Sequence, residues 1–271
     1  MPVIPIESLE DPRVADYGNL KDRELAAEGD RFMAEGEFVA SRFLQSGLPV
    51  ESVLVDARRV ERIAALAPAG TPVYVVAEAV MTGVVGYKFH TGVLAVGHRP
   101  AGATLQGLLR SPPPPGATYL VCPKITNTDN LGSLVRTAAA LGAEGVILGP
   151  ECCDPYWRRC IRVSMGAIFH LPLIQLRDVI TDLGHLREAW SLHLVAAALD
   201  DRAQPLATTA RPPHTHPLGI VLGNEAEGLP ADLLEICDDR IFIPMHRQTD
   251  SLNVAMAAAV FLYHFTCQGQ P

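Results

Sequence analysis

From Thr118 onward the chain alternates between short apolar runs and stretches with helical spacing. "TYLVCPKI" is followed by "NLGSLVRTAAALG", "GVILG" by "DPYWRRCIRVSMGAIF", and "LPLIQL" by "RDVITDLGHLREAW". Then come the strands "LHLVAAAL" and "LGIVLG", the helical "LPADLLEICD", the strand "RIFIPM" and a last helix. Parallel strands need a crossover between them, and a helix is the usual one. This alternation therefore calls for an α/β domain with a parallel sheet covered on both faces. Ligands of such sheets sit outside the carboxyl ends of the strands, so the loops that follow the strands are where chemistry is expected.

Four consecutive prolines, Pro112 to Pro115, precede this region. Proline lacks an N–H and fixes φ, so the run is neither helix nor sheet interior. It reads as a semi-rigid linker over residues 107–117, separating residues 1–106 from residues 118–271. In the first part, "RELAAEGDRFMAEGEFVASRFLQSG" reads as helix interrupted at Gly29 and Gly36. "VESVLVDA", "TPVYVVA" and "TGVLAVGHR" read as short buried strands. Thr82 to Thr91 reads as a Gly-rich loop with Tyr87, Lys88, Phe89 and His90. Aromatics beside a cation either pack such a loop or stack on RNA bases, with Lys88 as the candidate phosphate contact.

The 271 residues are 48% hydrophobic and 19% charged, a globular composition, and no apolar run is long enough to span a membrane. The N-terminus has no basic flank and no long apolar core, so no signal peptide is expected. Six cysteines, at 122, 152, 153, 160, 237 and 267, form no C-x-x-C pair. Reduced thiols in a cytoplasmic protein, with no metal site, are the expectation. The net charge of −8 argues against a general nucleic-acid binder. Yet the segment from Thr118 to Gln175 is +1, leaving −9 on the rest, so a local basic surface fits an acidic chain. Of the 22 cations, 19 are Arg, which suits phosphate forks and equally reflects a biased base composition.

Three loops stand at expected strand ends. In the first, Leu131, Leu134, Val135, Ala138 and Leu141 form one apolar helical stripe. Asn130 stands where an N-cap belongs, and Arg136 lies off the stripe. One glycine there does not make G-x-G-x-x-G, so a nicotinamide-dependent oxidoreductase is a poor fit. In the second, "IVLGNEAEGLPADLL", Gly223 permits close backbone approach and Pro230 suits a first helical turn. Glu225 is either a surface cap or a functional carboxylate. In the third, "IPMHRQTDSLNVAMA", Asp250 or Ser251 can cap the final helix, with Asn253 in its first turn. That helix, Val254 to Phe265, is apolar nearly all round and so is expected to be buried all round, one side against a second subunit.

In order and spacing these loops resemble the three motifs of the SpoU/TrmH branch of the SPOUT RNA methyltransferases. "NTDNLGSLVRTAAALGA", "IVLGNEAEGL" and "IPMHRQTDSLNVAMA" are similar to the first, second and third, and "CCDPYWRRCIRVSMGA" to a segment common in the family. "RFMAEGEFV" resembles the F-x-x-E-G turn of the ribosomal-protein-like, RNA-binding domain that often precedes this catalytic domain. The chain departs from many members in carrying Arg247 or Gln248 where they have Gly.

The resemblance implies a SPOUT domain with a trefoil knot, an obligate homodimer, and S-adenosylmethionine as the methyl donor to a ribose 2′-hydroxyl of tRNA or rRNA. It implies Arg136 as either a perturbed base or a charge stabiliser, with Asn130 orienting it or the ribose. Glu225, Ser251 and Asn253 shape the site. Groups near Leu199, Gly223, Asn224, Ile243, Met245, Ser251, Leu252 and Asn253 cradle the cofactor. Arg158, Arg159 and Arg162 either grip RNA phosphates or form a solvated helix face. The alternative is an RNA-binding module without catalysis, which would be expected to lack Asn130, Arg136, Glu225 or Asn253; all four are present.

Overall fold

A computed structural model of the chain describes residues 2–8, 10–18, 25–26, 30–85, 91–100, 105–213, 215–224, 227–247 and 251–267. Lys88, with its neighbours in the Gly-rich loop, and Glu225 and Asp250 lie outside the described residues. Two compact units emerge: Met1–Ala101 with Asp154–His170, and Gly102–Cys153 with Leu171–Pro271.

The first unit is built on five strands: β1 (Val3–Ile6), β2 (Arg31–Glu35), β3 (Val50–Asp56), β4 (Val73–Val76) and β5 (Val93–His98), in the order β1-β4-β3-β5-β2. β4 pairs parallel with β1 and β3, whereas β5 pairs antiparallel with β3 and β2. Arg31–Glu35, expected as helix, is strand. Phe32 to Glu35 are buried without interruption, so the segment shows no period of two by which a strand is recognised. The helix begins only after Gly36, at Glu37, and runs to Leu44. Likewise Thr82–Val85, expected as loop, closes the helix Glu78–Val85.

The segment Asp154–His170 groups with this unit instead of with the sheet that flanks it in sequence. Its aromatics explain why: Phe169 stacks on Phe32 with ring centroids 5.5 Å apart, and Tyr156 lies at 5.5 Å from Phe32. Arg99 donates to Asp154 at 2.7 Å and Arg42 to the Met165 carbonyl at 2.8 Å. Only Arg158–Val163 and a short turn at Ala167–Phe169 are helical within the longer stretch expected to be so.

The second unit holds seven strands: β6 (Thr118–Cys122), β7 (Gly145–Leu148), β8 (Leu173–Gln175), β9 (His193–Ala197), β10 (Gln204–Pro205), β11 (Leu218–Leu222) and β12 (Asp239–Phe242). Their order is β10-β12-β9-β11-β6-β7-β8, and every pairing is parallel. β6 and β11, at the centre, are buried at every residue, as strands covered on both faces must be. The stretch before β6 is less free than a spacer. Leu105–Leu109 is helical and packs on the helix Val179–Trp190, and the Trp190 indole donates to the Leu108 carbonyl at 3.0 Å.

The helix Val254–Leu262 packs on the helix Thr128–Ala140 and on β11, burying Ala258, Phe261 and Leu262. It is not buried all round within the chain. Met256, Val260 and Tyr263, at i, i+4 and i+7, are 63%, 40% and 58% exposed and form one apolar stripe. No helix among the described residues is long and apolar enough to cross a membrane.

The end of this helix is pinned by Arg211, whose guanidinium donates to the Phe265 carbonyl, to the Gly116 carbonyl at 2.6 Å and to Thr118 Oγ1 at 3.3 Å. A guanidinium satisfying carbonyls from two distant segments contributes on the order of 2 kcal/mol. Arg211→Ala is expected to lower the unfolding free energy by about that amount in a urea titration. Loss of less than ~0.5 kcal/mol would show that water replaces the guanidinium at no cost.

Candidate functional site

The first loop leaves β6 through Pro123 and Lys124. It is braced from the next loop: Cys152 Sγ accepts the Ile125 N–H at 3.3 Å and donates to the Cys122 carbonyl at 3.0 Å. Burial pushes the Cys152 thiol above its ordinary range, so it serves as a neutral donor there. The helix opens at Thr128, three residues before the apolar stripe begins, and its N-cap is Asn127 instead of Asn130. Asn127 Oδ1 accepts from the N–H of Asp129 at 2.8 Å and of Asn130 at 3.3 Å. Two asparagines one turn apart make equivalent caps in a sequence; the chain uses the first. Leu131, Leu134, Val135 and Ala138 are buried, and Arg136 projects outward, exposed.

The second loop leaves β11 at Gly223. A Cβ at this position would stand 2.7 Å from the Gly228 carbonyl carbon and 3.0 Å from the Leu229 nitrogen, so only glycine fits. Asn224 and Gly228 exchange backbone hydrogen bonds of 3.1 and 2.8 Å, closing the loop on itself. Asn224 also reaches the Lys124 carbonyl with Nδ2 at 3.5 Å, and its Oδ1 accepts the Glu227 N–H at 3.3 Å. Lys124 Nζ in turn lies 2.9 Å from Glu227 and 3.3 Å from Glu151. First and second loops are thus joined by an amide and by an ion pair.

The third loop leaves β12 and runs through Ile243, Pro244 and Met245. Asn253, not Asp250 or Ser251, caps the final helix, its Oδ1 accepting the Ala255 N–H at 3.0 Å. The other end of the same amide donates to Asn130 Oδ1 at 3.0 Å. Asn130, displaced from the cap, has this role instead: it ties the first loop to the third.

Between the second loop, the third loop and the end of β9 lies a cavity of about 740 Å³, within the range of small-molecule sites; the first loop is tied to its walls but does not line it. Leu222, Leu229, Ile241, Ile243 and Phe261 give it apolar walls. Of the residues assigned to cofactor binding, Leu199, Gly223, Asn224, Ile243, Met245, Ser251 and Leu252 line it; Asn253 stands behind, as the cap. Among the lining residues that the sequence reading did not assign are Asp200 and Glu227, the charged groups of the described lining. Asp200 follows Leu199 at the end of β9, a strand-end position that could have flagged it. The Arg240 guanidinium, 2.7 Å away, holds its carboxyl below the usual range. Glu227 is likewise paired, with Lys124, so the walls fit a largely apolar small molecule with polar groups at its edge. Among the described residues no cluster of His, Cys, Asp and Glu could hold a metal.

Arg136 and Asn130 do not line the cavity. Arg158 and Arg162 belong to the first unit, where both pair with the buried Glu35, at 3.3 Å each. They are therefore not a freely solvated face. Arg159, beside them, is exposed.

Of the two positions at which the chain departs from the family, Gln248 lies outside the described residues, and Arg247 has a φ of 57°, in the left-handed region where a side chain costs roughly 1–2 kcal/mol and glycine nothing. Arg247→Gly is expected to leave stability unchanged or raise it by about 1 kcal/mol. A melting temperature lowered by several degrees would show that the arginine side chain makes contacts worth more than the strain.

The profile of the SpoU rRNA Methylase family matches residues 117–263, the whole span of the three loops. An uncharacterized tRNA/rRNA methyltransferase of Mycobacterium bovis is 34% identical over 265 residues, 96% of this chain and 90% of its own. The 23S rRNA (guanosine(2553)-2′-O)-methyltransferase RlmP of Bacillus subtilis is 28% identical over 96% of this chain and 98% of its own. Among solved structures, the AdoMet-bound rRNA methyltransferase from Sinorhizobium meliloti superposes with a TM-score of 0.85 over 99% of both chains, at 27% identity. With the family profile matched over residues 117–263 and a relative 34% identical along nearly the full length, this chain belongs to the SpoU family of RNA methyltransferases.

Proposed function

We propose that the chain methylates a ribose 2′-hydroxyl of ribosomal RNA, in the cytoplasm, with S-adenosylmethionine held in the 740 Å³ cavity. The observation that carries this is the cavity walled by the second and third loops, to which the first loop is tied through Asn130–Asn253 and Asn224–Lys124. The names of relatives such as RlmP support ribose and ribosomal RNA as the target. When bound, the cofactor supplies a methyl group activated on a sulfonium. The apolar walls would hold its adenosine, with Asp200 and Glu227, each fixed by its cation, as polar groups at the edge of the cavity. Ser251 and Leu252 would close the third loop over it, with Asn253 fixing that loop. Glu225 is kept as a shaping carboxylate on the second loop.

A neutral hydroxyl is a poor nucleophile, so its proton would pass to a phosphate oxygen of the RNA substrate as attack proceeds. The exposed Arg136 would serve as the cation that stabilises the developing alkoxide. The first unit, with Lys88, Arg158, Arg159 and Arg162, presents the RNA. A homodimer is part of the proposal, its support being the exposed stripe of Met256, Val260 and Tyr263. So is the trefoil knot, supported by the final helix returning to pack on the helix of the first loop.

Mapping of 2′-O-methyl groups in ribosomal RNA from cells with and without the chain should reveal one site that disappears; an unchanged map sinks the reading. Arg136→Ala should leave folding and cofactor Kd unchanged and cut turnover on the order of 100-fold, with Lys a poor substitute. Near-normal turnover would remove Arg136 from the chemistry. Gly223→Ala should raise the S-adenosylmethionine Kd about tenfold or more by displacing the cavity wall, read by calorimetry. Sedimentation should show twice the 29.1 kDa chain mass, reverting to monomer in Val260→Glu. A wild-type monomer would rule out the dimer.

A further inference from the structure

In the first unit the turn Glu35–Gly36–Glu37 joins β2 to the helix Glu37–Leu44, with Gly36 at φ 97°. Each of its carboxylates is held by two arginines. Buried Glu35 takes Arg158 and Arg162 at 3.3 Å; Glu37 takes Arg59 at 3.0 Å and Arg62 as well. Among the described residues, Arg42, Arg58, Arg59, Arg62, Arg158 and Arg162 stand here with Glu35, Glu37, Asp56 and Glu78, six cations to four anions, Arg59 being shared by Glu37 and Asp56. On a chain of net charge −8, such a concentration marks a place for an anion.

Phe38 follows immediately. It lies off the buried face of its helix, which carries Val39, Ala40, Phe43 and Leu44, and is 52% exposed. The Arg42 guanidinium sits over its ring, 4.4 Å from the centroid, and is itself fixed by the Met165 carbonyl. An apolar protein partner would want the apolar surface to continue outward from Phe38. Here the surroundings are charged: Arg42, Arg62 and Arg162 are all exposed. An aromatic plane backed by a fixed cation, among arginines oriented by carboxylates, matches an unpaired nucleotide, a flat base between phosphates.

We infer that this turn is an RNA-contact platform, on which Phe38 stacks an unpaired base while Arg42, Arg62 and Arg162 take the flanking phosphates. Phenylalanine offers no hydrogen-bonding group, so the platform holds the RNA without choosing its sequence. The inference rests on the RNA methyltransferase reading and adds to it a single-stranded contact in the first unit.

The test uses the full chain and a fluorescein-labelled RNA hairpin with an unpaired loop, followed by anisotropy. Phe38→Ala should weaken binding about tenfold, since one base–aromatic stack is worth that much or more. Phe38→Trp should restore it and Phe38→Leu should not, because leucine matches the apolar character but has no π-face. Arg62→Ala should flatten the salt dependence by about one unit of log–log slope. The cofactor Kd, read in the other unit, and the melting temperature should not move. If wild type binds and Phe38→Leu binds equally well, the platform is wrong and the RNA reading stands. If Phe38→Ala alters the oligomeric state but not RNA affinity, the surface is a protein contact and the inference falls. If wild type fails to bind the hairpin at low salt, the assignment of RNA binding to this unit falls with it.

Discussion

The sheet of the second unit is parallel in every pairing, and that constraint governs the rest. Strands that run the same way end at the same edge, so the loops after β6, β9, β11 and β12 have to share one space. What the chain adds is a means of fixing them to each other. Asn253 uses both ends of its amide, accepting from the Ala255 N–H and donating to Asn130. A serine or aspartate would cap the helix as well. An ionised aspartate has no donor for Asn130, and a serine hydroxyl is too short to span both partners. The residue type follows from a double demand that capping alone does not impose.

The second loop meets the same demand with a glycine and an asparagine. Gly223 removes the Cβ that would strike the Gly228 carbonyl, and Asn224 then sends one arm to its own loop and the other to Lys124. Arg247, in the third loop, shows the opposite: a left-handed position occupied by a residue with a Cβ. The strain there is local, since the following helix is anchored independently by its cap and by the packing of Ala258 and Phe261.

The architecture of the second unit was legible because its signal is repetitive: each apolar run and each helical stretch supports the same sheet. The cavity lining was legible because the motifs fall at strand ends, and the structure places seven of the assigned positions on it. Other features were hidden for physical reasons. Arg31–Glu35 is buried on both sides and so shows no alternation. The choice of Asn127 over Asn130 depends on where a helix starts, which a tertiary bond decides. The departure of Asp154–His170 from its sequence neighbours rests on Phe32, Tyr156 and Phe169 finding one another, contacts of high sequence separation that no local pattern records.

The abundance of arginine had two readings from sequence, phosphate recognition or base composition, and the ion pairs change how it should be weighed. Arg31 serves Asp16 and Glu51, Arg99 serves Asp154, Arg187 serves Asp238, and Arg240 serves Asp200 and Glu235. In each case a planar fork joins elements distant in sequence, a task for which a lysine point charge is poorly suited. Most of the arginine excess is thus structural, and an ion-paired arginine bears on nucleic acid only where it also stays exposed, as Arg42, Arg62 and Arg162 do. An exposed arginine that no carboxylate holds is a separate case. Arg136 stands on a helix whose opposite face is core, and among the described residues no carboxylate holds it. Exposure is what a residue proposed to meet the substrate requires, but Arg110 and Arg177 are exposed as well, so a guanidinium in water is not by itself a site.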